Sequence, residues 1–356
     1  MKKILVMGMG KVGQLVGHML HEIGFDVTGV DSVEKDYSFK TTVLDVTNEA
    51  AVIKELKQND AVVSCLPFHL NIQLATWAHK AQIHYFDLTE DVATTNHIRN
   101  LAKTSKGVMA PQCGLAPGFI GIVGANLTKR FESLRSIELR VGALPQHPRG
   151  KLGYAFNWSA EGVVNEYLND CEVIQNGVRA MVPPLEGLET IVIDGHKLES
   201  FTTSGGLGTM CETYEGKIDK LNYKTMRYPG HCELMRFFFS ELHMKDKRIE
   251  AGKILVNAKP PVNDDVVYIH AAVEGIQTGQ MFREEFVEGY YPQKICGKMQ
   301  RAISWTTAAS ICAVIEMVSN GDLPATGFIK QEEINLKKFF KTKNGSYYKK
   351  GANLQK

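Results

Sequence analysis

The stretch KILVMGMGKVG, residues 3–13, constrains this chain more than any other. An apolar run, ILVM, reads as a strand and leads straight into Gly8, Gly10 and Gly13, spaced G-x-G-x-x-G. Behind them Val12, Leu15, Val16, Met19, Leu20 and Ile23 recur at helical spacing. A strand, a glycine turn and a helix in this order make an anion cradle. Gly8 permits the tight turn, Gly10 lets backbone approach a pyrophosphate, and Gly13 lets the helix pack close to the sheet. The anion then lies against free N–H groups at the helix N-terminus, with Lys11 and Val12 inside the same turn. Asp31 ends the next strand, 18 residues after Gly13. A carboxylate there accepts both ribose hydroxyls and repels a 2′-phosphate. No arginine follows closely, so NAD is expected in preference to NADP. Asp45 and Val46 end the third strand on the adenine side. Cys65, Leu66 and Pro67 end the fourth near the nicotinamide ribose, and Leu88 closes the fifth. The alternative is a glycine turn in a nucleotide-free fold, with Asp31 capping a loop.

The rest of the first third keeps the rhythm. FDVTGVD, TTVLDV, DAVVSCL, IHYFDL and GVMAPQC read as strands, with amphipathic helices between them. Such alternation implies a parallel sheet covered on both faces. Near Leu134 the pattern changes to longer strands, SIELRVGAL, ETIVIDG and VVYIHAAVEG, as in a mostly antiparallel sheet. The expected fold class is therefore α/β: a Rossmann dinucleotide-binding domain with a second α/β substrate domain built on a mostly antiparallel sheet. Residues 1–130 plus 303–335 are assigned to the first domain and 131–302 to the second. The second part of the first domain is a helix, RAISWTTAASICAVIEMVSNG, expected to pack back on it. Residues 336–356 are set apart as a basic tail, read as a solvated or frayed terminus.

Composition narrows the function classes. Seven scattered cysteines with no C-x-x-C pair are expected as reduced thiols in a cytoplasm. The tail holds seven lysines and no acid; without it the net charge of +2 turns negative, which gives no nucleic-acid footprint. No apolar run approaches the roughly 20 residues of a membrane span. No H-E-x-x-H or convincing Cys/His spacing appears, so no metal is expected. There is no G-x-S-x-G elbow either, which argues against serine hydrolysis.

Beyond the glycine turn, YFDL (85–88), CGLAPGF (113–119), NWSAEGVVNEYL (157–168), TSGGLGT (203–209) and YKTMRYPGH (223–231) form a specific set. With these motifs the chain resembles the saccharopine dehydrogenase-like family over nearly its whole length. The resemblance implies an NAD(P)-dependent oxidoreductase acting at a carbon–nitrogen bond of an amino acid, and a second domain that carries substrate and an oligomer interface. Within the family it is nearest the enzymes that oxidise the ε-amine of lysine. Saccharopine reductases of the family carry an arginine in the motif matching NWSAEG, to grip a second carboxylate. Here the region holds Glu161, which suits a free amine better. Saccharopine-type and carboxynorspermidine-type enzymes are the alternatives, and a nucleotide-sensing regulatory protein is the alternative outside enzymes. A homo-oligomer with a small amino-acid substrate is expected, with no nucleic-acid or membrane partner.

The segment KTMRYPGH gathers Lys224, Arg227, Tyr228 and His231 around a Pro-Gly turn. By itself it could hold a phosphate, a carboxylate or nothing. An amino-acid substrate gives it a ligand: Arg227 grips the α-carboxylate in a bidentate pair, Lys224 adds charge, and Tyr228 donates a hydroxyl. Trp158 and Ser159 line the same site. Hydride leaves a carbon only when the adjacent nitrogen lone pair is free, so a proton acceptor is needed. Glu161 and His231 are the candidates, with Asp87 at the mouth of the fifth strand as a third. His231 is expected to be neutral because it opens a helix.

Overall fold

The computed structural model describes residues 1–350 and divides into two compact units, Met1–Phe119 with Lys294–Lys298 and Ser304–Lys356, and Ile120–Gln293 with Met299–Ile303. The first unit alternates β1 (Lys3–Met7), α1 (Lys11–Glu22), β2 (Asp26–Asp31), β3 (Lys40–Val43), α2 (Glu49–Leu56), β4 (Ala61–Ser64), α3 (Asn71–Ala81), β5 (His84–Asp87), α4 (Val92–Ala102) and β6 (Val108–Ala110). The sheet order is β6-β5-β4-β1-β2-β3, all parallel, with Gly327–Phe328 as an edge strand beside β6. The order reverses between β1 and β4, and in such sheets ligands bind outside the carboxyl ends of the strands at that point. Leu5, Met7, Val30, Val62, Tyr85 and Met109 from the strands pack with Val52, Leu56, Leu74, Trp77 and Ile98 from the helices. The same rows of apolar residues gave the strands and helices their sequence signatures.

The apolar helix Ala302–Ser319 has a mean hydropathy of 1.4 and is 83% buried inside the protein, the environment of a core helix. From Ser304 onward it belongs to the first unit, where the Cys312 thiol points at the Val16 carbonyl of α1. The tail corrects the expectation of a solvated terminus. Leu336–Phe339 is helical, and Leu336, Phe339, Phe340 and Tyr348 are buried. Tyr348 stacks on Phe119 at 3.8 Å and donates its hydroxyl to the Thr306 carbonyl. The Glu316 carboxylate accepts the N–H groups of Lys343 and Asn344. Lysines 337, 338, 341, 343 and 349 stay exposed while the aromatics between them turn inward. The charge is a solvated face of packed chain. Residues 351–356 of the assigned tail lie outside the described residues.

The second unit opens with α5 (Phe119–Thr128), which the sequence boundary at residue 130 had given to the first domain. Gly124 of α5 lies so close to Leu139 that an added Cβ would meet its methyl at 2.7 Å, which ties the helix to the second sheet. That sheet contains β7 (Ser133–Pro145), β8 (Cys171–Gln175), β9 (Val178–Val182), β10 (Glu189–Ile193), β11 (His196–Thr202), β12 (Lys220–Arg227), β13 (Asp265–Gln277) and β14 (Gln280–Tyr290). Its main path is β10-β11-β12-β7-β13-β14; only β12–β7 is parallel. The helices are α6 (Ala160–Leu168), α7 (Met210–Tyr214), α8 (His231–Arg236) and α9 (Arg248–Ala258). Val163, Val164 and Tyr167 of α6, Met235 of α8 and Leu255 of α9 join Phe201, Met226 and Leu144 of the strands in one core.

Candidate functional site

In the first unit the glycine turn has the geometry that its spacing implies. Gly8 has φ +91°, and a Cβ there would lie 2.7 Å from the Cys65 carbonyl oxygen. A Cβ on Gly13 would lie 1.9 Å from the Gly8 carbonyl oxygen, so the helix can approach only as glycine. At Gly10, by contrast, an added Cβ meets nothing within 4 Å. Gly10 is also the N-cap of α1, with no side chain capping the helix. Open space over an uncapped helix N-terminus fits a pyrophosphate. Lys11 and Val12 form the first turn of α1.

Asp31 ends β2 beside this turn, where its Oδ2 accepts the Met9 N–H at 3.0 Å. A cation neglected in the sequence argument also reaches it: Lys35 Nζ lies 2.8 Å from the same oxygen and 2.8 Å from the Met9 carbonyl. Oδ1 accepts the N–H and hydroxyl of Ser32. Burial opposes ionisation of Asp31, but Lys35 and the N–H groups of Ser32 and Val33 hold its pKa below the usual value. Asp45 lies past the end of β3, exposed, and accepts the N–H and hydroxyl of Thr47. Val46 and Leu66 pack against the first-unit core. Cys65 follows β4, before Pro67; burial and then the charge of Asp87 push its thiol up to about 12, so it is no thiolate at neutral pH.

Asp87 ends β5, fully buried. Its carboxylate accepts the N–H groups of Thr89 and Gln112 at 2.9 and 3.0 Å and the Tyr85 hydroxyl at 2.8 Å. Burial raises its pKa to about 6 against these bonds. Leu88 is half-buried, and Glu90, which the sequence reading passed over, follows it.

In the second unit the basic cluster divides. Lys224 and Arg227 lie three apart on β12, and side chains alternate along a strand, so they point to opposite faces of the sheet. Lys224 Nζ is bound by Glu189 at 2.6 Å and the Gly187 carbonyl at 2.5 Å. Arg140 Nε binds the same Glu189 at 2.5 Å. Burial works against that carboxylate, but Arg140, Lys224 and Ser200 hold its pKa down to about 2. Lys224 is therefore committed to Glu189, which corrects its assignment to a substrate.

Arg227 is only 2% exposed. Its Nε donates to the Tyr167 oxygen at 2.8 Å, and Nη1 donates to Thr225 Oγ1 and the Met226 carbonyl. Its guanidinium lies 4.6 Å from the Tyr154 ring centroid and 5.8 Å from that of Tyr167. Glu166, buried on α6, adds its charge to the same cluster. His231 is fully buried, with Nε2 2.9 Å from the Tyr167 hydroxyl and Nδ1 3.0 Å from the Leu152 carbonyl. Burial first, and the Arg227 charge second, lower its pKa to about 3. The ring is neutral as expected, but for this reason and not because it opens a helix. Its proton-accepting nitrogen is already used by Tyr167. The N-terminus of α8 is also closed: Glu199 accepts the N–H groups of Gly230 and Cys232 at 2.8 and 2.6 Å. Tyr228 donates to the Pro145 carbonyl at 2.9 Å. Ser159 caps α6 by accepting the Gly162 N–H at 3.0 Å, and Trp158 packs half-buried on the second-unit core. Glu161, in the first turn of α6, is exposed. Among the described residues the buried hydroxyl of Thr203 has no hydrogen-bond partner. A cleft of about 300 Å³ lined by Tyr167, Leu185, Arg236, Phe239 and Lys245, among others, takes Tyr167 from the motif NWSAEGVVNEYL but contains none of the candidate site residues named from the sequence. Among the described residues no group of three or more His, Cys, Asp or Glu side chains is arranged to hold a metal ion.

Strand order, glycine turn and acid at the end of β2 together define a Rossmann dinucleotide-binding unit, joined in one chain to an α/β unit on a mixed sheet. Residues 4–110 match the family model of the saccharopine dehydrogenase NADP binding domain, and residues 114–343 that of the saccharopine dehydrogenase C-terminal domain. The chain belongs to the saccharopine dehydrogenase family. It is 27% identical over 200 residues to the NADP(+), L-glutamate-forming saccharopine dehydrogenase of Saccharomyces cerevisiae, covering 49% of this chain and 43% of that one. The corresponding Schizosaccharomyces pombe protein is 22% identical over 157 residues, covering 42% and 35%. The matches thus span less than half the length of these curated relatives. Among solved structures, the apo L-Glu-forming saccharopine dehydrogenase of Saccharomyces cerevisiae superposes with a TM-score of 0.78 at 15% identity over 98% of both chains. An engineered D-amino acid dehydrogenase bound to NADP+ gives 0.50 at 12% identity over 99% of both. At such identities the likeness is one of fold.

Proposed function

We propose that this chain is a nicotinamide-dinucleotide-dependent dehydrogenase that oxidises a carbon–nitrogen bond of an amino acid, with the ε-amine of L-lysine as the substrate and saccharopine as the alternative. The observation that carries the reading is the open space over Gly10 at an uncapped helix N-terminus, in a chain of the saccharopine dehydrogenase family. Gly8, Gly10 and Gly13 would hold the pyrophosphate, and Asp31 the adenosine ribose. When bound, the oxidised nicotinamide supplies a hydride acceptor. The chain must position the substrate carbon, exclude water and free the nitrogen lone pair. Glu161 supports lysine over saccharopine: an exposed carboxylate stands where the resemblance places an arginine in saccharopine reductases.

On the cofactor, Asp31 favours NAD by its charge, but its oxygens are already taken by Met9, Ser32 and Lys35. Lys35 and Ser32 stand ready to receive a 2′-phosphate, and the family model and the curated relatives are named for NADP. We therefore read the site as accepting NADP as well as NAD. None of the seven cysteines is in a disulfide, which suits the proposed cytoplasmic location. A homo-oligomer formed through the second unit remains part of the proposal.

The test is reduction of NAD and of NADP on addition of lysine, saccharopine, ornithine and diamines. Turnover of lysine supports the reading. Saccharopine as the better substrate makes the reductase reading the leading one. Dinucleotide binding without turnover of any amine favours a nucleotide-sensing protein.

A further inference from the structure

Besides its bonds to Arg227 and His231, Tyr167 walls a cleft of about 300 Å³ whose lining belongs wholly to the second unit. The wide helical turn Phe237–Glu241, which follows α8, contributes Phe239 and Ser240 to it. In that turn the Phe237 carbonyl accepts the Leu242 N–H at 3.1 Å, five residues on, and such widened turns recur at functional sites. On the same cleft Leu185 holds a left-handed φ of +60°. That conformation is costly for any residue but glycine and persists only where the surroundings hold it. Here Thr202 of β11 does so: its carbonyl accepts the Leu185 N–H at 2.8 Å, and its hydroxyl accepts the Glu186 N–H at 3.0 Å. The strained turn aims the Leu185 carbonyl at Arg236, which binds it through Nε at 2.8 Å and through Nη2. Nη2 also meets the Glu186 carboxylate at 2.9 Å. Among the described residues Arg236 Nη1 has no partner, and Lys245 Nζ makes no hydrogen bond or ion pair. Two unused cationic donors therefore line one cleft.

We propose that this cleft is a binding site for a small monocarboxylate with an apolar body. The charges set the sign: Arg236 and Lys245 against Glu186 leave one net positive charge in the lining. Arg236 Nη1 and the Lys245 ammonium offer one donor for each carboxylate oxygen. The walls set the body. Leu168, Pro184, Leu185 and Phe239 are apolar, and Tyr167 offers its ring because Arg227 and His231 hold its hydroxyl. Phe239 meets that ring edge-on at 6.4 Å between centroids. A volume of about 300 Å³ is at the small end of ligand pockets, so the body is no larger than one ring or a short branched chain. A dianion would exceed the one net charge, and an inorganic anion would leave the apolar wall unused. The site stands whether or not the chain oxidises an amine.

The test uses the full-length chain, with phenylacetate as the probe. Leucine methyl ¹H–¹³C resonances report the titration, that of Leu168 being assigned by its loss in Leu168→Met. Phenylacetate should shift it saturably with a Kd of about 1 mM, the affinity that a ligand of this size reaches. Three kinds of control separate charge from body. 2-Phenylethanol lacks the charge, 2-phenylethylamine reverses it, and acetate and inorganic phosphate lack the body. Each should bind at least about fivefold more weakly than phenylacetate. Lys245→Met should weaken phenylacetate by about two- to fivefold, the range for an exposed ion pair, and leave 2-phenylethanol unchanged. Ser240→Phe, which fills the cleft, should abolish the shift. Both replaced residues are exposed, so both proteins should keep the parent Tm. A parent protein that shows no saturable shift by about 20 mM phenylacetate overturns the proposal. So does an affinity for any control equal to that for phenylacetate, or an unchanged phenylacetate affinity in either variant. If a variant does not fold, the parent's order of affinities decides.

Discussion

The Tyr167 hydroxyl donates to His231 Nε2 across 2.9 Å, and the direction of that bond is fixed by a third residue. The Leu152 carbonyl can only accept, so the neutral ring keeps its proton on Nδ1 and leaves Nε2 to accept the tyrosine proton, while Arg227 Nε donates to the same Tyr167 oxygen at 2.8 Å. His231 then carries its own proton on Nδ1, toward the Leu152 carbonyl. The result is a one-way chain from a buried cation to a backbone oxygen.

This chain predicts a pH dependence. His231 has a folded pKa of about 3, below its usual 6.5. Between those values the unfolded chain binds a proton that the folded chain refuses. The His231 contribution is therefore complete above about 6.5 and is lost as pH falls, at about 1.4 kcal/mol per pH unit. Glu90, raised from 4.5 to about 7, works with the opposite sign: its neutral form is favoured in the fold, so stability falls as pH rises through that window. Denaturant midpoints across this range should show less acid destabilisation in His231→Gln than in the parent. In Glu90→Gln the fall in stability with rising pH should shrink. Tyr167→Phe should lose about 1–3 kcal/mol for each partner left unpaired, read from the same denaturant curves.

The glycine turn separates folding from binding. At Gly13 an added methyl meets the Gly8 carbonyl at 1.9 Å, so Gly13→Ala should melt well below the parent or fail to fold. Gly10 has φ −73° and open space, so Gly10→Ala should keep the parent Tm. The methyl fills the space assigned to the pyrophosphate, so dinucleotide Kd should rise by at least about tenfold, or about 1.4 kcal/mol. Calorimetric titration with NAD and NADP reads this directly, and an unchanged Kd for Gly10→Ala rules out the pyrophosphate position.

The first unit was legible because each of its signals is local. The glycine spacing, the period-3.6 stripe of α1 and the apolar strand ILVM lie in one continuous segment. The second unit's site was legible only as composition. KTMRYPGH gathers charge in sequence, but β12 alternates and sends Lys224 to Glu189 and Arg227 to Tyr167. The alternation could have been read from KLNYKTMR had that segment been taken as a strand. The partners could not, since Glu189 lies 35 residues away and Tyr167 60 residues away. The tail was misread because lysines were counted while the aromatics between them were not.

Cofactor choice should turn on Lys35. Its ammonium neutralises Asp31 and is 37% exposed, within reach of an incoming phosphate. Lys35→Met should lower kcat/KM with NADP by about tenfold or more, the loss of one charge-assisted contact, and leave NAD nearly unchanged. Asp31→Ser should do the reverse, weakening NAD and sparing NADP. Equal losses with both cofactors in Lys35→Met would remove it from 2′-phosphate recognition.

Glu161 and Glu166 lie five residues apart on α6 and should behave differently. Glu166 is buried and its charge acts on Arg227, so Glu166→Gln should destabilise the chain by about 1–3 kcal/mol, the range for disturbing a buried polar group. Glu161 is exposed, so Glu161→Gln should change stability by no more than about 0.5 kcal/mol. Its proposed role is to meet the substrate ammonium. An exposed ion pair contributes about 0.2–1 kcal/mol, less than a factor of ten. If the bound substrate dries the Glu161 carboxylate, the contribution rises to a few kcal/mol. The expected outcome is thus a loss of kcat/KM for lysine of about tenfold or more in Glu161→Gln, at unchanged Tm. If Glu161 only attracts the ammonium, that loss should fall on KM and the acid limb of the rate profile should stay where it is. Steady-state kinetics on lysine and saccharopine across pH test both statements. Lysine kinetics equal to the parent's in Glu161→Gln would leave the saccharopine reading without its main competitor.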